Sequence, residues 1–155
     1  MQRITAILSM LLLSHFCVAQ TDSIAKRIIL IGDAGELNFG REPVIDAARS
    51  LIPFDKNTTV IYLGDNIYNS GLPPDFTKDY NKYKSVLDSQ INIANGTDAT
   101  VIFIPGNHDW NNEALDGLEI VNRQQDYINN LNNSNIKFMP SDGCPGPESY
   151  SISPD

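Results

Sequence analysis

Basic charge is scarce in this chain. Lysine and arginine together number 11 against 19 aspartates and glutamates, a formal charge of −8. That balance excludes recognition of nucleic acid by phosphate neutralisation, which needs clustered cations. Long apolar runs are missing too, and none reaches the roughly 20 residues that cross a bilayer. No internal repeat or low-complexity segment breaks the 155 residues, a length that suits one domain with its own core. Histidine and cysteine are the scarcest chemistry-bearing residues, two of each.

That scarcity sharpens once the N-terminus is read. Arg3 precedes the apolar run Ile4–Leu13, and Cys17 and Ala19 stand three and one residues before a cleavage point at Gln20. Charge, apolar core and small residues come in the order of an export signal. Residues 1–19 are expected to be a signal peptide. Residues 20–155 are then the mature chain, exported to the periplasm, cell surface or medium, with no membrane span. Processing removes Arg3, His15 and Cys17, which leaves His108 and Cys144 as the only residues of their kinds. A single cysteine in an exported chain implies either a partner elsewhere or an inert thiol.

Three apolar runs predict strands at Arg27–Ile31, Thr59–Leu63 and Thr100–Ile104. They are short, continuous and rich in Ile and Val, as in strands buried on both faces. Helical spacing separates them. Pro43–Ile52 sets Val44, Ala47, Ala48 and Leu51 on one side, with Pro43 in a first turn. Asp75 suits an N-cap, with Phe76, Tyr80, Tyr83, Leu87 and Ile91 as the packed stripe. Glu113–Leu131 gives a weaker third helix through Leu115, Leu118, Val121, Ile128 and Leu131, and Ile136–Met139 a fourth strand. The order βαβαβα predicts an α/β fold with a parallel sheet. Such a sheet leaves an unprotected edge, so the chain is expected to be the N-terminal part of a longer protein.

Each strand ends in the same manner. The first runs into Gly32-Asp33-Ala34-Gly35, the second into Gly64-Asp65-Asn66-Ile67-Tyr68, the third into Gly106-Asn107-His108-Asp109. Ligands of open α/β sheets bind at the carboxyl ends of the strands. Roughly 30 and roughly 40 residues separate the motifs, each enough for one crossover. Strands about 4.8 Å apart would set Asp33 and Asp65 repelling by about 3 kcal/mol at an effective dielectric near 20. A bound cation turns that penalty into affinity. Two carboxylates, a carboxamide oxygen and an imidazole suit Mn, Fe or Zn. Asp109 reads as a residue of the turn into the next helix.

In this order, Gly-Asp-x-Gly, Gly-Asp-x-x-Tyr and Gly-Asn-His-Asp resemble the calcineurin-like metallophosphoesterases. "LGDNIYNSG" is most similar to the small tartrate-resistant type of purple acid phosphatase. The resemblance covers about residues 27–140 and implies the N-terminal half of an αββα four-layer sandwich. It implies metal-dependent hydrolysis of a phosphate-ester substrate by two divalent or trivalent ions (Fe, Mn or Zn). Asp33 would bind the first ion, Asp65 bridge both, Tyr68 bind the first as phenolate, and Asn107 bind the second. Asn66 and His108 would face the substrate, His108 as the catalytic group that stabilises charge and protonates the leaving group. Family members supply three further histidines that this chain lacks, so the fragment alone is expected to be nearly inactive. The competing expectation is a non-catalytic binding or structural protein that keeps part of the fold.

Overall fold

A computed structural model describes residues 24–141 and 146–152. The expected signal peptide and Cys144 lie outside the described residues. Four strands form one parallel sheet in the order β1 (Arg27–Ile31), β2 (Thr58–Tyr62), β3 (Thr100–Phe103), β4 (Ile136–Phe138). Helices α1 (Pro43–Leu51), α2 (Tyr80–Ile91) and α3 (Gly117–Asn129) lie in the three crossovers. The α/β expectation holds, and each strand falls within a residue or so of its predicted run.

The expectation of burial on both faces does not hold. Neighbouring strands follow in sequence, and crossovers of one hand then place every helix on the same side. The register lines up Ile29, Val60, Val101 and Ile136, then Ile31, Tyr62, Phe103 and Phe138, on that side. These residues pack with Ile45, Leu87, Val121 and Ile128 from the helices. Tyr62 stacks on Phe103 with ring centroids 4.8 Å apart. On the opposite face Ile28, Leu30, Leu63 and Ile104 are exposed. Residues 146–152 pass over part of that face and enclose, with Ile61, Ile102 and Ile104, a cavity of about 370 Å³. Two layers of the expected four-layer sandwich are therefore present, one of helices and one of strands.

Helix phase also departs from expectation. In α1 the packed residues are Ile45 and Ala48, while Val44 and Leu51 are exposed. Asp46, Arg49 and Ser50 share one side, but the apolar arc opposite them is wide, and only its Ile45 and Ala48 part meets the core. The segment Asp75–Asp79 is not helical. Thr77 returns its N–H and its hydroxyl to Pro74 O at 3.0 and 2.8 Å, which substitutes a local turn for the helical ladder. The first residue of α2 is thus Tyr80, and Phe76 stays exposed. The third helix starts at Gly117 rather than Glu113. Asn111, Asn112 and Glu113 all have positive φ, a conformation no helix continues through. Val121 and Ile128 are buried as expected and Ile120 and Gln124 join them, while Leu115, Leu118 and Leu131 are exposed.

Candidate phosphoesterase site

The three strand ends meet at one rim. Beyond β1 and β2 the ladder continues for two more bonds, from Leu63 N–H to Ile31 O at 2.8 Å and from Asp33 N–H to Gly64 O at 3.3 Å. There the backbone turns sharply: Asp33 has φ 56°, Gly64 105° and Asp65 55°. Aspartate tolerates this left-handed conformation better than most residues, at a cost on the order of 1 kcal/mol. Glycine is required where backbones nearly touch. A Cβ on Gly64 would lie 2.6 Å from Gly106 Cα, and one on Gly35 2.6 Å from Asp65 O. Those two glycines let the three loops converge.

Most of the expected site residues come together there. The Tyr68 hydroxyl donates to Asp33 Oδ1 at 2.7 Å. The hydrogen bond to the Asp33 carboxylate, aided by burial, pushes the Tyr68 phenol up to about 12. His108 donates its backbone N–H to Asp65 Oδ1 at 3.1 Å. The His108 ring meets Tyr68 edge-on with centroids 4.6 Å apart, and its Nδ1 lies 2.7 Å from Asn69 O. A carbonyl only accepts, so Nδ1 carries a proton, and Nε2 takes no part in that bond. Asn107 is exposed and donates its amide N–H to Asn112 Oδ1 at 3.0 Å. Its own Oδ1 takes no part in that bond.

Asn66 departs from expectation. It is fully buried, and its side-chain amide donates to Ile104 O at 2.8 Å and to Asp109 Oδ2 at 3.1 Å. The structure places it inside the loop junction rather than at the substrate. Asp109 is not merely a turn residue either. It is fully buried and accepts the backbone N–H groups of Gly106 (2.8 Å), Asn66 (3.1 Å) and Ile67 (3.2 Å). Burial raises its carboxyl above the usual carboxylate range, and the N–H groups oppose that rise.

One further positioning residue was missed in the sequence. Gln90 of α2 is fully buried and donates to Ala34 O and to Asn66 O, both at 2.7 Å. Tyr62 OH donates to the Gln90 carbonyl at 3.0 Å. Gln90 thereby ties the loop after β1 to the loop after β2, and Asp109 ties the loop after β2 to the loop after β3. The only sequence signal for Gln90 is its place one residue before Ile91, on the packed side of a helix where a polar residue needs a partner.

The electrostatics favour a cation. The ion pairs among the described residues are Arg41–Asp46, Lys84–Asp88 and Arg123–Glu119. Neither Asp33 nor Asp65 takes part. Two carboxylates share a rim with a phenol and an amide oxygen and have no basic partner there. That all-oxygen donor set fits a hard or borderline ion. No group of three or more His, Cys, Asp and Glu side chains converges among the described residues, so an ion held here would need other oxygens beside the carboxylates, and Tyr68 and Asn107 are the side chains at hand.

Residues 26–151 match the family described as calcineurin-like phosphoesterase. The chain belongs to that family. No curated protein and no solved structure matches it. Membership among the calcineurin-like phosphoesterases implies a metal-dependent hydrolase acting on phosphoric esters. In this phosphoesterase the matched segment begins just before β1 and carries all three strand-end motifs. Among the described residues no helix is long and apolar enough to cross a membrane.

Proposed function

We propose that this phosphoesterase hydrolyses phosphate esters at a two-metal centre of the purple acid phosphatase type. Asp33, Asp65, Tyr68 and Asn107 hold the ions, and His108 faces the substrate. The observation that supports this most directly is the pair of unneutralised carboxylates, Asp33 and Asp65, brought to one rim by the two strand-end turns. Bound metals supply an activated water and a clamp on the phosphoryl oxygens. The chain's own residues do the rest. Gly35, Gly64 and Gly106 keep side chains out of the space between the loops. Gln90 and Asp109 fix the spacing of the carboxylates through the backbone. His108 holds one proton at Nδ1 against Asn69 O; as the imidazolium it would carry a second at Nε2, and that second proton is the one given to the leaving-group oxygen, which leaves the neutral ring.

His108 is the only histidine in residues 20–155. The remaining ligands of a two-metal centre would come from sequence beyond these residues, together with a second sheet on the apolar face of Ile28, Leu30 and Leu63. By itself this chain would turn over slowly. Export through the N-terminal signal is part of the same reading, and a mature N-terminus at Gln20 tests it. Hydrolysis of p-nitrophenyl phosphate by the metal-loaded full-length enzyme tests the function. His108→Ala should lower turnover about 100-fold, the usual scale of a lost general acid, while metal content stays near that of the parent. Loss of both metals in that variant would make His108 a ligand instead.

A further inference from the structure

Beside the rim lies a cavity of about 120 Å³, lined by Gly35, Glu36, Tyr68, Asn69, Lys82 and Tyr83 among others. Tyr68 belongs to both places. Its hydroxyl is on Asp33 and its side chain forms part of the cavity wall. The cavity therefore adjoins the rim at Tyr68. Lys82, in the first turn of α2, is the one basic residue of the lining. Its ammonium lies 5.3 Å from the ring centroid of Tyr83 and has no carboxylate partner among the described ion pairs. Glu36 is the one acid of the lining and would oppose an anionic occupant.

Size narrows the occupant. One water takes about 30 Å³ of liquid, so the cavity holds about four water volumes. A carboxylate or a second phosphate fits. Charge narrows it further. The chain carries −8 overall, and Lys82 is the local cation available to a second negative group. A lysine ammonium serves such a group as a point charge with three donors on a flexible stem.

We infer that this cavity receives the leaving group of the ester, and that Lys82 selects leaving groups bearing a compact second anion, a carboxylate or phosphate. The inference rests on the phosphoesterase reading above. Calorimetry of the Mn²⁺-loaded full-length enzyme with two unreactive probes tests it without turnover. Methylphosphonate carries the phosphoryl mimic alone, and phosphonoacetate adds a carboxylate. The parent should bind phosphonoacetate at least about fivefold more tightly, the scale of one partly exposed charge pair. Lys82→Gln should bind methylphosphonate as the parent does and lose the preference. Lys82→Arg should keep it, and Glu36→Gln should enlarge it. A preference that survives Lys82→Gln unchanged overturns the role of Lys82. Failure of the parent to bind methylphosphonate overturns the phosphoesterase reading itself, and this inference with it.

Discussion

Asp109 accepts both the backbone and the side-chain N–H of Asn66, each at 3.1 Å, across 43 residues of chain. The same residue, Asn66, gives its carbonyl to Gln90 at 2.7 Å. One buried asparagine next to Asp65 is thus gripped from both sides. Those grips, together with the strand that precedes it, hold Asp65 at the rim.

Removing the Asp109 grip should be costly. Asp109→Ala strands the N–H groups of Gly106, Asn66 and Ile67 in the interior, and an unpaired buried donor costs about 1–3 kcal/mol. We expect a loss of at least about 3 kcal/mol in urea unfolding. A loss below about 1 kcal/mol would mean that water or a neighbour replaces the carboxylate.

Gly35 should be intolerant of any side chain. A Cβ there would lie 2.6 Å from Asp65 O and 2.7 Å from Tyr68 N, both backbone atoms that cannot swing aside. Gly35→Ala should destabilise by about 1–3 kcal/mol, as overpacking does, and should lower metal affinity because it pushes the first two loops apart. Unchanged affinity for Mn²⁺ in a folded Gly35→Ala variant would show that loop spacing does not set the site.

Glu42 gives the fold a pH dependence near neutrality. The residue sits at the start of α1, buried, with Oε1 unpartnered. Burial, and then the nearby Asp46 carboxylate, push its carboxyl up to about 7. The folded state therefore keeps a proton that the unfolded state releases near 4.5. Stability falls as pH rises from about 4.5 to about 7, by up to about 3 kcal/mol, and stays low above that window. Glu42→Gln removes the effect. The variant should match the parent within about 1 kcal/mol at pH 5 and exceed it by about 2–3 kcal/mol at pH 8. Equal stability of the two proteins at both pH values would place Glu42 in contact with water.

The strand runs and the three strand-end motifs were legible because they are local. An apolar β-branched run followed by Gly-Asp reads the same wherever the chain goes next. Which face of the sheet the helices cover was not legible. Ile28 and Ile29 are the same residue type, yet one is exposed and the other packed, and strand order decides between them. The phase of α1 was hidden by the even spread of Val44, Ile45, Ala47, Ala48 and Leu51. At the rim, Asp33, Asp65, Tyr68 and His108 were readable as a set. The burial of Asn66 in the loop junction was not readable, and Gln90 was missed. Both act through hydrogen bonds to backbone atoms far away in sequence, and such partners leave no pattern in a single chain.

The central claim is that Asp33 and Asp65 form one cation site. Calorimetric titration of the chain with Mn²⁺ tests it most directly, in parallel with Asp65→Ala. We expect saturable binding to the parent and a loss of at least about 100-fold in affinity for the variant, the effect of deleting a carboxylate ligand that no neighbour replaces. Equal affinity in the two proteins would contradict the account.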